Sequence, residues 1–211
     1  MRLLVDAGPD LRMQALVHGI SGLDAILFTH GHADHILGLD DVRRFNSLMG
    51  GAIPLYADEH TREEIRSMFR YAFSSDTPKG GGLPQLELFR IGGPFCVGRQ
   101  EIVPVPLMHG KRPILGLRFG PFAYLTDCSA IPDGSWPLLE GVEVVVLDAL
   151  REKPHPTHFS LQEAIDAAVR IGARETYFTH MCHDLPHART CERLPPGMTL
   201  AYDGLRLRIA G

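Results

Sequence analysis

Cysteine is scarce in this chain, and what there is forms no pattern. Cys96, Cys128, Cys182 and Cys191 show no C-x-x-C spacing and no paired framework. That excludes a disulfide scaffold or a redox dithiol, and a reducing, cytoplasmic setting is expected. No apolar run approaches the ~20 residues of a bilayer-spanning helix, and no signal peptide is visible. Positive charge is not in excess either. Lys and Arg number 21 against 25 Asp and Glu, a net charge of −4. No basic surface therefore advertises a nucleic acid partner. Internal repeats and low-complexity segments are absent. The remaining composition is ordinary for a globular protein, 45% apolar and 22% charged over 211 residues. It suits a single domain spanning residues 1–211, or two tightly merged halves.

Histidine is what the chain does have. Of its eleven, three fall together with an aspartate in Thr29-His30-Gly31-His32-Ala33-Asp34-His35. The cluster follows Ala25-Ile26-Leu27-Phe28, which reads as a buried strand. Imidazole and carboxylate are ligands for hard-to-borderline divalent metals. A loop leaving a strand end can aim alternate side chains at two neighbouring points. His30 and His32 would then serve one metal, Asp34 and His35 a second. The bland alternative is a polar loop that happens to hold three histidines. The ordered H-x-H-x-D-H spacing argues against it.

The rest of the pattern alternates strands with helices. Strands are expected at Leu3–Val5, Asp24–Phe28, Ile53–Tyr56, Val142–Leu147 and Glu175–Phe178. Helices are expected from Asp10 to about His18, over Gly38–Asn46, from Asp58 to about Phe69, and over Ser160–Ile171, where Ser160 and Glu163 make a capping box. Residues 85–126 read as a meander of short strands, and Leu200–Ile209 as a terminal hairpin turning at Asp203-Gly204. Ser74–Pro84, with Gly80-Gly81-Gly82, reads as a loop. Two packed sheets with helices outside would satisfy this order. Four further strands run into a ligand-type residue: His109 after Val103–Met108, Asp127 after Ala123–Thr126, Asp148 after Val144–Leu147, and His180 after Thr176–Thr179. Strand ends converge where sheets open to solvent, which is where open-sheet proteins place ligands.

With those residues in view, the chain resembles the metallo-β-lactamase superfamily of hydrolases over nearly its whole length, from Asp6-Ala-Gly to His180. Within it, Asp6-Ala-Gly-Pro-Asp-Leu-Arg12, His158-Phe-Ser-Leu-Gln-Glu-Ala164 and Thr179-His180-Met-Cys-His183 resemble the PhnP-like branch, the phosphoribosyl cyclic phosphate phosphodiesterases of the carbon–phosphorus lyase pathway. The resemblance implies an α/β fold, the αββα four-layer sandwich, here lacking the N-terminal strand region. It implies two divalent metal ions per chain, zinc or manganese. His30, His32 and His109 would hold one, Asp34, His35 and His180 the other, with Asp127 bridging. The implied activity is phosphoric diester hydrolysis: a metal-bridging hydroxide, held with help from Asp34 and Asp127, opens a small cyclic phosphate ester. Two ions ~3.5–4 Å apart suit such an in-line displacement.

His158 stands outside the ligand set, in the Pro-rich stretch Pro154-His155-Pro156-Thr157. The resemblance makes it the general acid for a leaving alkoxide, which needs a proton donor. The alternative is a helix-start residue with no chemistry. His155 reads as surface. Lys111 and Arg112 follow His109; they either meet substrate phosphate oxygens or are solvated loop charges.

The resemblance also marks a departure. Branch members begin earlier, with cysteines that bind a structural zinc together with the histidine placed at His183 here. Those cysteines are missing, so no third zinc is expected. Leu3–Val5 should then lie at a sheet edge open to a second copy, a homodimer. The expected partner is a small phosphate ester, with no nucleic acid and no membrane. Competing functions are another superfamily hydrolase (lactamase, thioesterase or tRNA 3′-end nuclease) and a metal-binding protein without catalysis. The nuclease would want a basic, flexible arm, and the Gly80 loop is too short and too weakly basic.

Overall fold

The computed structural model describes residues 1–77 and 82–209. Gly80 and Gly81 of the glycine run lie outside the described residues. The chain forms two compact units, residues 1–93 and 94–211. Among the described residues there are two sheets and seven α-helices, a mixed α/β architecture. No described helix is long and apolar enough to cross a membrane.

The first unit is built on a four-stranded parallel sheet in the order β1-β2-β3-β4: Leu3–Val5, Ala25–Leu27, Ile53–Ala57 and Leu86–Arg90. Every residue of β2 is buried, as the apolar run implies. Among the described residues β1 pairs on one side only, with β2. Helices α1 (Leu11–His18), α2 (Ala33–Ile36), α3 (Arg43–Met49), α4 (Glu59–Met68) and α5 (Arg70–Phe73) complete the unit. Its core gathers Leu11, Ile26, Phe28, Ile36, Leu39, Phe45, Leu55 and Ile65. Asp58 caps α4 by accepting from the Thr61 amide at 2.7 Å. Asp10 stands at the cap position of α1, but its side chain makes no capping bond.

The second unit is a seven-stranded sheet, in the order β11-β10-β9-β8-β7-β6-β5. Strands β5 (Phe95–Val97), β6 (Gln100–His109), β7 (Arg112–Phe119) and β8 (Phe122–Leu125) form an antiparallel meander. From β8 the sheet continues parallel through β9 (Val144–Asp148), β10 (Glu175–Thr179) and β11 (Met198–Leu200). Helix α6 (Leu161–Ile171) sets Leu161, Ala164, Ala167 and Ala168 into the core at helical spacing. A short α7 (His187–Cys191) precedes β11.

Three expectations need correction. The stretch 38–46 is not one helix: a 3₁₀ segment, Leu37–Val42, leads into α3. Residues 86–90 do not belong to the meander. They pair parallel with β3, with Leu55 opposite Leu88 and the Phe89 ring stacked on Tyr56 at 5.2 Å. Among the described residues there is no terminal hairpin. Leu200 instead lies beside Phe178 and is buried, and the Ala201 amide donates to the Phe178 carbonyl at 2.7 Å. Residues 205–209 follow the Asp203-Gly204 turn without strand pairing.

The capping box of α6 is formed. The Glu163 amide donates to Ser160 Oγ at 3.4 Å, and the Ser160 amide donates to Glu163 Oε2 at 2.8 Å. Ser160→Ala should therefore lower unfolding free energy by about 1 kcal/mol, read by urea denaturation; an unchanged midpoint would contradict the cap. All four cysteines are free thiols. Cys96 is exposed, whereas Cys128 is fully buried, and burial, with Asp148 and Asp127 adding, pushes its thiol well up. Alkylation of the native protein followed by peptide mass mapping should label Cys96 first and Cys128 only on unfolding.

Candidate functional site

In both units the polar side chains gather where strands end. In the first unit β1 runs into Asp6 and β2, through Phe28, into Thr29 and His30. The Asp6 carboxylate accepts from the Thr29 amide at 2.8 Å, from Thr29 Oγ1 at 2.8 Å and from His35 Nδ1 at 2.8 Å. A hydroxyl has one hydrogen. Thr29 gives it to Asp6, so its oxygen accepts from His30 Nδ1, 3.0 Å away. One largely buried carboxylate thus fixes two imidazoles with Nδ1 protonated and Nε2 as the ligand atom.

The H-x-H-x-D-H stretch is half loop and half helix. His30 and His32 leave the strand end in extended backbone; Asp34 and His35 sit on the single turn of α2. The His30 ring lies 4.5 Å from His32 and 4.2 Å from His35, centroid to centroid. His30 and His35 are buried, while the Asp34 side chain is 60% exposed, its Oδ2 3.4 Å from His35 Nε2. The glycine between the first two histidines leaves room for Glu64: a Cβ on Gly31 would stand 1.9 Å from Glu64 Oε2 and displace that side chain.

In the second unit the register does the positioning. Leu125 pairs with Leu147, and Leu147 with Phe178. Asp127, Asp148 and His180 therefore fall side by side where β8, β9 and β10 end. β6 finishes at His109, whose Nδ1 donates to the Asp127 carbonyl at 2.7 Å. That bond leaves Nε2 of His109 as its ligand atom. His180 Nε2 lies 3.0 Å from Asp127 Oδ1.

Asp148 is the residue that sequence reasoning undervalued. It stands out in the sequence only as one more strand-end carboxylate, with no role. It is fully buried, and it accepts from the Asp127 amide at 3.1 Å, the Phe159 amide at 3.0 Å and His158 Nδ1 at 3.2 Å. Burial pushes its carboxyl up to about 8; His180 pulls it down and Asp127 adds to the rise. A cation close by would hold it ionised. The His158 ring stacks on His180 at 4.8 Å with a 12° interplanar angle, and its edge meets His109 at 4.7 Å. Asp6 has no role in the sequence reading either, where it stands only within the family-like stretch Asp6-Ala-Gly. The signal for both is an aspartate directly at a strand end, too short to reach solvent from a buried start.

Backbone strain marks the same places. Asp6, Asp127 and His180 hold positive φ, at 60°, 57° and 60°, and they are the non-glycine residues that do so among the described residues. L-residues pay for that conformation, and it clusters at functional sites.

The donor chemistry fits a divalent cation. Asp127, Asp148, His158 and His180 each offer one ligand atom, and these atoms lie within 4.8 Å of one another. Carboxylate and imidazole together suit zinc or manganese. Lys111 and Arg112 are separated by the geometry. Lys111 is exposed in the two-residue turn between β6 and β7, whereas Arg112 pairs across from His109, so their side chains share a face. His183 is exposed, its Nε2 3.5 Å from Asp184.

Comparison with known proteins adds the family. The model of the beta-lactamase superfamily domain matches residues 1–181. The chain is similar to a crystal structure of a diphosphatase of the PhnP family, 46% identical with a TM-score of 0.91, over 99% of this chain and 80% of that one. It is 37% identical over 206 residues to an octanoyltransferase of Porphyromonas gingivalis, covering 97% of this chain but 42% of that protein. The chain thus spans less than half the length of that curated relative. A ribonuclease Z of Pyrobaculum aerophilum is 24% identical over 242 residues, 92% of this chain and 83% of that protein. The human short-form tRNase Z, at 19% identity and TM-score 0.68, shares the fold. A superfamily match over most of the chain, together with the two strand-end clusters of histidine and aspartate, establishes that the chain belongs to the metallo-β-lactamase superfamily, in its PhnP-like branch.

Proposed function

We propose that this metal-dependent hydrolase is a dinuclear phosphodiesterase that opens a small cyclic phosphate ester. The observation that supports it best is the pair His158–Asp148. An imidazole held by a buried carboxylate stacks directly on His180, one of the family's ligand positions. A phosphate diester with an alkoxide leaving group asks for such a proton donor beside the metal ligands. Neither a structural metal site nor a carrier does.

The ligands proposed are the set that the family resemblance implies: His30, His32, Asp34, His35, His109, Asp127 and His180. Divalent ions held by them would supply Lewis-acid activation of water and neutralise charge on the phosphoryl group. The chain's own residues do the rest. Asp6 presents Nε2 of His35 directly and, through Thr29, that of His30. The Asp127 carbonyl presents Nε2 of His109. Asp148 receives Nδ1–H of His158, so the transferable proton sits on Nε2, and the carboxylate favours the charged imidazolium before transfer. Nε2 gives that proton to the departing oxygen. Arg112, on the face of His109, is the better placed of the two basic residues to meet a phosphate oxygen.

A second reading has its own support. The relative at 46% identity is a diphosphatase, which points to a P–O–P linkage. Phosphate leaves with less protic help than an alkoxide does. A substrate panel separates the readings: ribose cyclic phosphates, dinucleoside diphosphates, a pre-tRNA, a β-lactam and a thioester. Turnover confined to the last three would end the small-phosphoester proposal. The net charge of −4 sets the expectation against tRNA.

Two ions per chain should be found by elemental analysis of the purified protein, falling on Asp127→Ala. A well-folded wild type that saturates at one ion would refute the dinuclear centre. His158→Ala should retain both ions and slow hydrolysis of alkyl leaving groups by ~10²–10⁴-fold. The loss should be much smaller for p-nitrophenolate, which departs unaided. Equal losses on the two substrate types would remove the proton-donor role.

A further inference from the structure

His155, which the sequence suggests is a surface residue, lies beside His158 and is built in. Pro154 and Pro156 flank it and fix φ on either side. The loop is closed on itself by Arg151, whose Nε donates to the Lys153 carbonyl at 3.2 Å and whose second guanidinium nitrogen donates to the Pro154 carbonyl at 3.1 Å. The Arg151 carbonyl in turn accepts from the Leu161 amide at the start of α6. The imidazole of His155 is thereby held 5.2 Å from that of His158, tilted by 43°.

Its tautomer follows from its neighbours. Nδ1 faces the Thr157 amide at 3.4 Å and Thr157 Oγ1 at 3.1 Å. An amide N–H can only donate, so Nδ1 accepts and the ring hydrogen sits on Nε2. Partial burial, and then the charges of His158 and Arg151, lower its pKa and keep the ring neutral. Gly110, at φ +60°, closes the far side: a Cβ there would stand 2.9 Å from Thr157 Cγ2. The turn that carries Lys111 therefore abuts the same loop. An N–H donor thus stands one ring away from His158.

We infer that His155 is a specificity-determining residue, whose Nε2–H donates to an oxygen of the leaving group next to the scissile bond. This favours phosphate diesters whose leaving group carries a hydrogen-bond acceptor beside the scissile bond over those whose leaving group is apolar or aryl. The inference rests on the reading of His158 as the proton donor.

The test compares kcat/KM of the metal-loaded wild type and of His155→Phe on two probes, uridine 2′,3′-cyclic phosphate and bis(p-nitrophenyl) phosphate. Phenylalanine keeps the ring and removes both nitrogens. The loss should be about tenfold larger on the ribose probe, the worth of one hydrogen bond, and should fall mainly on KM. His155→Gln should recover part of it. Losses of equal size on both probes would make the residue scaffolding, and no loss on either would exclude contact. If the wild type turns over neither probe, the phosphodiesterase reading is what fails. Nitrogen-15 imidazole spectra then decide His155 alone. Protonation at Nε2, with a resonance that moves as inorganic phosphate is added, sustains the donor. Protonation at Nδ1, or no response to phosphate, overturns it.

Discussion

Two carboxylates, Asp148 fully buried and Asp6 largely so, organise everything else. A buried charge is tolerated only when its acceptor sites are filled. Asp6 fills its sites with an amide, a hydroxyl and an imidazole; Asp148 fills its own with two amides and an imidazole. Each bond serves twice. It satisfies the carboxylate, and it fixes which nitrogen of a histidine faces outward. The strand end, its register and the tautomers of His35 and His158 are therefore one arrangement. Replacing either aspartate would leave donors unmet and rings unoriented at once.

Parallel pairing explains why this works at strand ends. Neighbouring parallel strands finish on the same side, so residues just past them stand in a row. The antiparallel meander joins in at β6 because an even number of reversals brings His109 to the end shared with β8. The fold supplies this row to many chemistries, and the relatives named octanoyltransferase, ribonuclease Z and diphosphatase illustrate how little it fixes by itself. The details around His158 are where this chain commits itself.

Much of this was legible in the sequence because it follows from local rules. Apolar runs such as Ala25–Phe28 and Val144–Leu147 are strands because nothing else buries them. The capping box at Ser160 needs only residues three apart. Dense histidine spacing marks the first cluster. What was not legible depends on contacts distant in sequence. Residues 86–90 join the first sheet because of Tyr56 and Leu55, some thirty positions away. Leu200 prefers the open flank of β10 to a local hairpin because that site buries it. Asp148 gains its importance from His158 and Asp127, neither of which its own neighbourhood reveals. His155 reads as surface for the same reason; only the Thr157 bonds to its Nδ1 show that its ring is held.

The left-handed backbone at Asp127 and His180 carries a consequence for anyone who would stabilise the chain. Each costs on the order of 1–3 kcal/mol that glycine would relieve. The same glycine would remove a carboxylate or an imidazole from the strand-end cluster. At Asp6 the gain would be set against the three donors that its carboxylate accepts. An engineer screening for heat tolerance alone would thus be drawn to the very positions that carry the chemistry.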